Sequence, residues 1–457
     1  MSVSTSRGAN DQSPAAYLRQ LKPYPAYKDS AIQWLGEVPV NWTVKRADAF
    51  LHYDKIQIEP SEISDELVFH YSIPSVQETG DGVLEPPSQI DSAKLKIVGP
   101  RLLVSKLNPR KGVVLVASKH DVPTLCSTEF VPFDVRGSDL RWAVYLFLGE
   151  STRQRLSAVV RSATRSHQRA EVSEITKLWH AVPALPEQRA IAAFLDLETV
   201  RIDALVAKKE RLIELLQEQR TALITRAVTK GLDPTVPMKD SGVEWLGEIP
   251  VHWEVNRTKF AARLRSGHTP SRQHAEYWQD CTIPWFGLAD VWQIRDGQRE
   301  YVRETAEKIS ALGLANSAAR LLPKGTVMLS RTASVGFSVI MGVDMATTQD
   351  FVNWVCGPTL RPEYLLYVFR SMHQEYRRLT MGSTHQTIYM PDVGRFATPI
   401  PPVPEQDQIV AFIRNETRKI DALVAKVRDA VKCLQELRIA LISAAVTGKI
   451  DVREEGA

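Results

Sequence analysis

The chain has 457 residues, 44% of them hydrophobic and 24% charged, which is enough apolar material for ordinary cores and excludes a disordered polymer. At about 100–200 residues per domain, this length suggests roughly two to four domains. The formal net charge of +4 neither requires nor excludes nucleic acid, so local charge has to decide.

Residues 1–27 form a polar tail without the apolar run of a secretory leader. No apolar stretch anywhere approaches the roughly 18–20 residues of a membrane span. The expectation is a soluble, cytoplasmic protein with no membrane partner. Cys126, Cys281, Cys356 and Cys433 are far apart, so no C-x-x-C spacing exists and no metal ligands are assigned. The next segment, 28–46, reads KDSAIQWLGEVPVNWTVKR. Trp34 and Trp42 are its large apolar anchors, and Pro39 prevents a regular helix. It reads either as a clip that docks the start of one unit onto its neighbour or as a grip for a partner subunit.

The stretch 47–183 is mixed. Short β-like runs at 101–105 (RLLVS) and 113–117 (VVLVA) are separated by turn residues, and an amphipathic helix is predicted over 140–155. Residues 101–119 carry five basic residues (Arg101, Lys106, Arg110, Lys111, Lys119) and no acid, and 153–169 carry five arginines and no acid. A basic run is usually a solvated face, but phosphate contacts need such charge. From 196 to 230 there is no Gly or Pro, and strong helix formers dominate. Ile202, Leu205, Val206, Leu212, Ile213, Leu216, Leu223 and Ala227 form one apolar stripe, and Gly231 is a stop signal.

The pattern then starts again. Residues 239–257 match 28–46 at twelve of nineteen positions, at an offset of 211. Residues 404–451 match 186–233 at twenty-six of forty-eight positions, at an offset of 218. The chain is therefore a duplicated unit with similar ends and a divergent centre, which points to a pseudo-two-fold molecule. The second centre has another acid-free basic stretch (257–272), a β-like run at 326–329 and a predicted helix over 362–379. The second long helix carries Ile420, Leu423, Val427, Ala430, Leu434, Leu437, Leu441 and Ala444 at heptad spacing. Neither stripe can stay exposed. The simplest solution packs the two helices on each other, antiparallel; packing within each half or in an intermolecular bundle are the alternatives. The units run as a tail (1–27), a first centre (28–183), a helix with linker (184–238), a second centre (239–400) and a second helix with C-terminal tail (401–457). The fold class is α+β.

The blocks PEQ-x-x-I, E-T-x-x-I-D-A-L-V-A-K and A-V-T-[GK] resemble the two conserved regions of type I restriction–modification specificity subunits. In the second centre G-H-T-P (267–270), Y-W (277–278), I-P-W (283–285), S-R-T-A-S-V-G (330–336), T-T-Q-D-F (347–351) and G-S-T-H-Q-T-I (382–388) are similar to motifs of that family's target recognition domains. The first centre departs from this pattern. It has S-K-L-N-P-R-K-G (105–112), S-T-E-F (127–130) and S-A-T-R-S-H-Q-R (162–169) at the corresponding places. The resemblance implies two target recognition domains, each reading one half of a bipartite, asymmetric site in double-stranded DNA. The paired helices would act as a ruler for the gap. Expected partners are two methyltransferase subunits and restriction/motor subunits. Adenine methylation and ATP-dependent cleavage, with S-adenosylmethionine, ATP and Mg, would belong to those partners.

Arg, Lys, Asn, Gln, Ser and Thr can read base edges. The DNA-binding candidates are Lys106, Asn108, Arg110, Lys111, Arg165, His167, Gln168 and Arg169 in the first centre. In the second they are Ser330, Arg331, Thr332, Gln349, Ser383, Thr384, His385 and Gln386. Thr348, Asp350 and Phe351 read as structural, with Asp350 placed to position a neighbouring basic side chain. No catalytic residues are assigned. The chain has no N-P-P-Y-like tetrapeptide, no G-x-x-x-x-G-K-[ST] loop and no H-E-x-x-H. A standalone nuclease or methylase, and a pure assembly scaffold, are the competing readings.

Overall fold

A computed structural model describes residues 14–160, 168–380 and 386–454. They fall into two compact units: the chain up to Glu210 together with the chain from Arg428 onward, and Arg211–Val427. Each unit takes one half of each of two long helices, Leu185–Lys230 and Val403–Val446.

In the first unit a four-stranded antiparallel sheet runs in the order Val114–Ala117, Arg101–Ser105, Phe130–Val135, Leu51–Tyr53. The central strand Arg101–Ser105 is buried on both faces, which is why it reads as a continuous apolar run rather than an alternation. Its pleat sends Leu102 and Val104 into one core and Leu103 into another. A five-stranded sheet packs beyond, with Thr124–Cys126 parallel to Val68–Tyr71. The helical stretch predicted over 140–155 is two helices, Leu140–Leu148 and Glu150–Ala158, broken at Gly149. The break is tightly packed: a Cβ on Gly149 would lie 3.1 Å from the Val446 side chain, which would have to shift to admit it.

The second unit repeats this plan despite its different sequence. Ala262–Ser266, Phe351–Cys356, Val327–Ser330 and Ser338–Met341 follow the same neighbour order, with Tyr301–Val302 added at the edge. Val327 and Leu329 face one core and Met328 the other. Ile283–Phe286 pairs parallel with Ala346–Thr347, matching the parallel pair of the first unit. Here too the long helical prediction resolves into two helices, Pro362–Ser371 and His373–Thr380.

The first long helix extends ahead of the Gly- and Pro-free stretch 196–230. The first begins at Leu185, because Pro186 lies in the first turn, where its missing N–H has no partner to lose. In the first unit Ile202 packs near Leu434, Leu437 and Leu441, and Arg438 Nε meets Asp203 at 3.0 Å. Glu187, earlier on the first helix, lies 4.0 Å from Arg453, beyond the end of the second, so the pair is antiparallel. In the second unit Leu216 packs with Ile420 and Val424, beside an Arg220–Asp421 ion pair at 3.1 Å. Leu205, Leu212 and Leu423 were expected in the stripe but are 46%, 39% and 44% exposed. A two-helix seam buries only a narrow row of side chains, and these three fall outside it.

The repeated front motif is a docking clip. Trp42 is wholly buried and donates Nε1–H to Glu187 at 3.0 Å; Trp253 does the same to Glu405 at 3.0 Å. Gln188 and Gln406, next in the PEQ block, accept from the backbone N–H of Asp139 and Arg361. A Cβ on Gly448 would sit 2.5 Å from Pro39, and one on Gly231 would sit 3.2 Å from Trp253. The start of each repeat therefore rests on the helix end of the other, within one compact unit in both cases.

Candidate nucleic-acid interface

In both units the central strand ends in serine, and the loop that follows is held by the same backbone clasp. After Ser105, Lys106 donates its N–H to Glu129 O (2.8 Å) and accepts from Ala170 N (3.0 Å), and Leu107 bridges Arg169 antiparallel. After Ser330, Arg331 donates to Asp350 O (2.8 Å) and accepts from Ile388 N (2.8 Å), and Thr332 bridges Thr387. One residue further, Asn108 donates to Gln168 O at 2.7 Å, and Ala333 donates to Gln386 O at 3.0 Å. Both residues have left-handed backbone, with φ of 49° and 59°. Neither is glycine, and such strain, of order 1–3 kcal/mol, is found where a site fixes its backbone. The loop S-K-L-N-P-R-K-G is thus the structural counterpart of S-R-T-A-S-V-G.

The side chains around the two clasps differ. In the first unit, Arg169 gives a two-pronged bond to Glu129 (3.0 and 2.8 Å), so much of its charge is matched within the fold. Lys106 is half-buried, and Arg110 and Lys111 stand exposed on a short 3-10 turn, Pro109–Lys111. Arg153 packs over Gly112 and reaches Arg110 O at 3.4 Å. The acid-free stretches 101–119 and 153–169 therefore meet at one loop. In the second unit, Arg331 donates Nε–H to Gln349 O (3.0 Å) and Nη1–H to Ile388 O (3.4 Å). Gln349 is exposed, and its Oε1 accepts from Thr269 Oγ1 at 2.6 Å. That contact brings the third basic stretch to the same loop. Gly267 has to be glycine there, because a Cβ would lie 2.0 Å from Thr348 O.

Several expectations need correction. Ser330 is wholly buried, and its hydroxyl points at Thr332 O (3.4 Å), so it is removed from the candidate DNA-binding residues. Asn108 is nearly buried and serves the turn, its Oδ1 accepting from Gln168 N at 3.3 Å. The Asp350 carboxylate holds Thr348 Oγ1 (3.0 Å) and not a basic side chain; Arg331 goes to the neighbouring carbonyl instead. Thr332 is half-buried, and Gln386 is exposed. Arg165, His167, Ser383, Thr384 and His385 lie outside the described residues. Sequence reading missed Glu129, Arg153 and Thr269. The acid before phenylalanine in both S-T-E-F and T-Q-D-F was the available signal for Glu129.

Among the described residues no cluster of His, Cys, Asp and Glu could hold a metal, and no helix is long and apolar enough to cross a membrane. The family model for the type I restriction modification DNA specificity domain matches residues 250–432. The MjaIX specificity subunit of Methanocaldococcus jannaschii is 27% identical over 170 residues, 37% of this chain and 38% of that one. This chain thus spans well under half of that relative. The MjaVIII specificity subunit of the same organism is 20% identical over 427 residues, 91% of this chain and 94% of its own length. Among solved structures, a chain from work on assembly and conformational transition of the type I R-M system has a TM-score of 0.70 at 14% identity, covering 90% of this chain and 98% of its own. The HsdS subunit from Thermoanaerobacter tengcongensis has a TM-score of 0.52 at 16% identity, with the same coverage. At these identities the two structures speak for the fold alone. The family match covers residues 250–432, and over most of its length the chain is similar to type I restriction–modification specificity subunits.

Proposed function

We propose that this chain is the non-catalytic subunit that reads a bipartite, asymmetric site in double-stranded DNA, one half-site per unit. It directs two methyltransferase subunits and the restriction/motor subunits to that site, in the cytoplasm. S-adenosylmethionine, ATP and Mg serve those partners, which carry adenine methylation and ATP-dependent cleavage. The observation that carries the reading is the duplicated clasp: one backbone geometry presents different polar side chains in the two units, among converging acid-free basic stretches. A reader of two unlike half-sites needs a fixed frame and variable side chains.

The test is selection from a random duplex pool by the full chain with the methyltransferase that co-purifies with it. Enrichment of a split motif supports the reading. No enriched motif favours an assembly scaffold. Cleavage of DNA by the purified chain with a divalent metal alone favours a standalone nuclease.

A further inference from the structure

The two clasps share few side chains, and the fold explains most of those they share. Ser105 and Ser330 are buried, and each hydroxyl meets the carbonyl two residues on, at 3.1 Å to Leu107 O and 3.4 Å to Thr332 O. Phe130 and Phe351 are core residues with no exposed surface. Gln168 and Gln386 are also identical, yet the fold uses only their backbone. Their carbonyls accept from Asn108 N and Ala333 N, a role open to any residue. Among the described residues neither carboxamide takes part in a hydrogen bond, and Gln168 is half-exposed and Gln386 exposed.

An identical side chain on otherwise different reading loops points to an identical feature outside the protein. A carboxamide offers an acceptor beside a donor, the pattern that complements the N6/N7 edge of adenine in the major groove. The strained turn at Asn108 or Ala333 fixes the backbone from which each glutamine projects, so the two side chains start from equivalent positions. We infer that Gln168 and Gln386 are a matched pair of base-reading residues, each contacting an adenine at the corresponding position of its own half-site. This rests on the DNA reading proposed above. Side chains that differ between the clasps, such as Lys106 against Arg331, are left to distinguish the half-sites.

The experiment repeats the random-pool selection with the full chain and its co-purifying methyltransferase, as wild type and as Gln168→Glu, Gln386→Glu, Gln168→Ala and Gln386→Ala. The wild type is expected to enrich adenine at one position in each half. Each Glu variant shifts that position in one half only toward cytosine, whose N4 amine a carboxylate accepts. Each Ala variant relaxes the same position, with discrimination falling roughly 5- to 150-fold, the range for one bidentate base contact. An unchanged split motif in all four variants overturns the inference and leaves the DNA reading standing. So does uniform weakening across all sequences, which marks a phosphate contact. A wild type without an enriched motif removes the DNA reading itself. Thermal unfolding separates loss of fold from loss of contact, and the Glu variants keep the size of the side chain.

Discussion

Replacing Arg331 with alanine isolates what one side chain does for one clasp. Its guanidinium spans two carbonyls, Gln349 O at 3.0 Å and Ile388 O at 3.4 Å. A well-formed hydrogen bond from a charged donor contributes about 1.5–3 kcal/mol. The second bond is long and the group is half-exposed, so the pair together is expected to contribute about 2 kcal/mol. The backbone pairings of residue 331 with Asp350 and Ile388 do not involve the side chain, so the fold of the second unit is expected to survive. DNA then has to order a loosened loop on binding, and 2 kcal/mol corresponds to about 30-fold weaker affinity. The assay is fluorescence anisotropy on two duplexes, one with both half-sites and one with the second half-site scrambled. Arg331→Ala should weaken binding to the first duplex and leave the second near wild type. Arg331→Lys should not rescue, because an ammonium lacks the planar fork that reaches both carbonyls. Equal loss on both duplexes, or loss on neither, would refute this account of the clasp.

Other parts of the fold give equally direct tests. His180 is wholly buried among Trp34, Phe50 and Phe147, and burial pushes its imidazole down to about 3. It is neutral in the folded chain and protonates near pH 6.5 once unfolded, so the stability it contributes is present above pH 6.5 and lost as pH falls toward 3. The loss at pH 5 is about 2 kcal/mol, and chemical denaturation of His180→Leu should show a flatter pH dependence between 5 and 7; an identical slope would count against it. Gly448 and Gly231 both have positive φ, but only at Gly448 would a Cβ meet proline at 2.5 Å, against 3.2 Å from an aromatic carbon at Gly231. Gly448→Ala should therefore lower the melting temperature more than Gly231→Ala, and the reverse order in calorimetry would contradict the clip geometry. Glu129→Gln releases the guanidinium of Arg169, so the slope of log affinity against log salt should steepen by about 0.9. A titration over salt concentration with an unchanged slope would mean that Arg169 does not face DNA phosphate.

Much of this fold could be read because it is written locally and twice. The long helices announce themselves by composition and stripe, and Arg101–Ser105 is a strand with the predicted bounds. The tryptophan motif was legible as a clip, although its hydrogen bond to the glutamate of the PEQ block joins residues 145 apart and has no local signature. The clasp was only partly legible. Its glutamines and basic residues stood out, but the burial of Ser330 depends on a strand packed between two cores. The left-handed turn at Ala333 was hidden because alanine gives no hint of positive φ. Arg153 and Glu129 reach the first loop from distant elements, and only tertiary structure brings them there.

The same separation of backbone from side chain explains how the two centres can differ so much and still fold alike. Every bond that defines the clasp, from residue 106 or 331 to its two partners and from residue 108 or 333 to glutamine, runs between backbone atoms. Such bonds do not depend on side-chain identity, so positions 106, 110 and 111 in one unit and 331, 332 and 349 in the other can change without dismantling the frame. What the frame does constrain is shared or supported nearby: the serine that turns its hydroxyl inward, the buried phenylalanine, and glycine at 267 where backbone crowds in. Among the described residues, a glutamine kept in both clasps without being required by the frame is the exception, and that exception is why the base it meets is worth identifying.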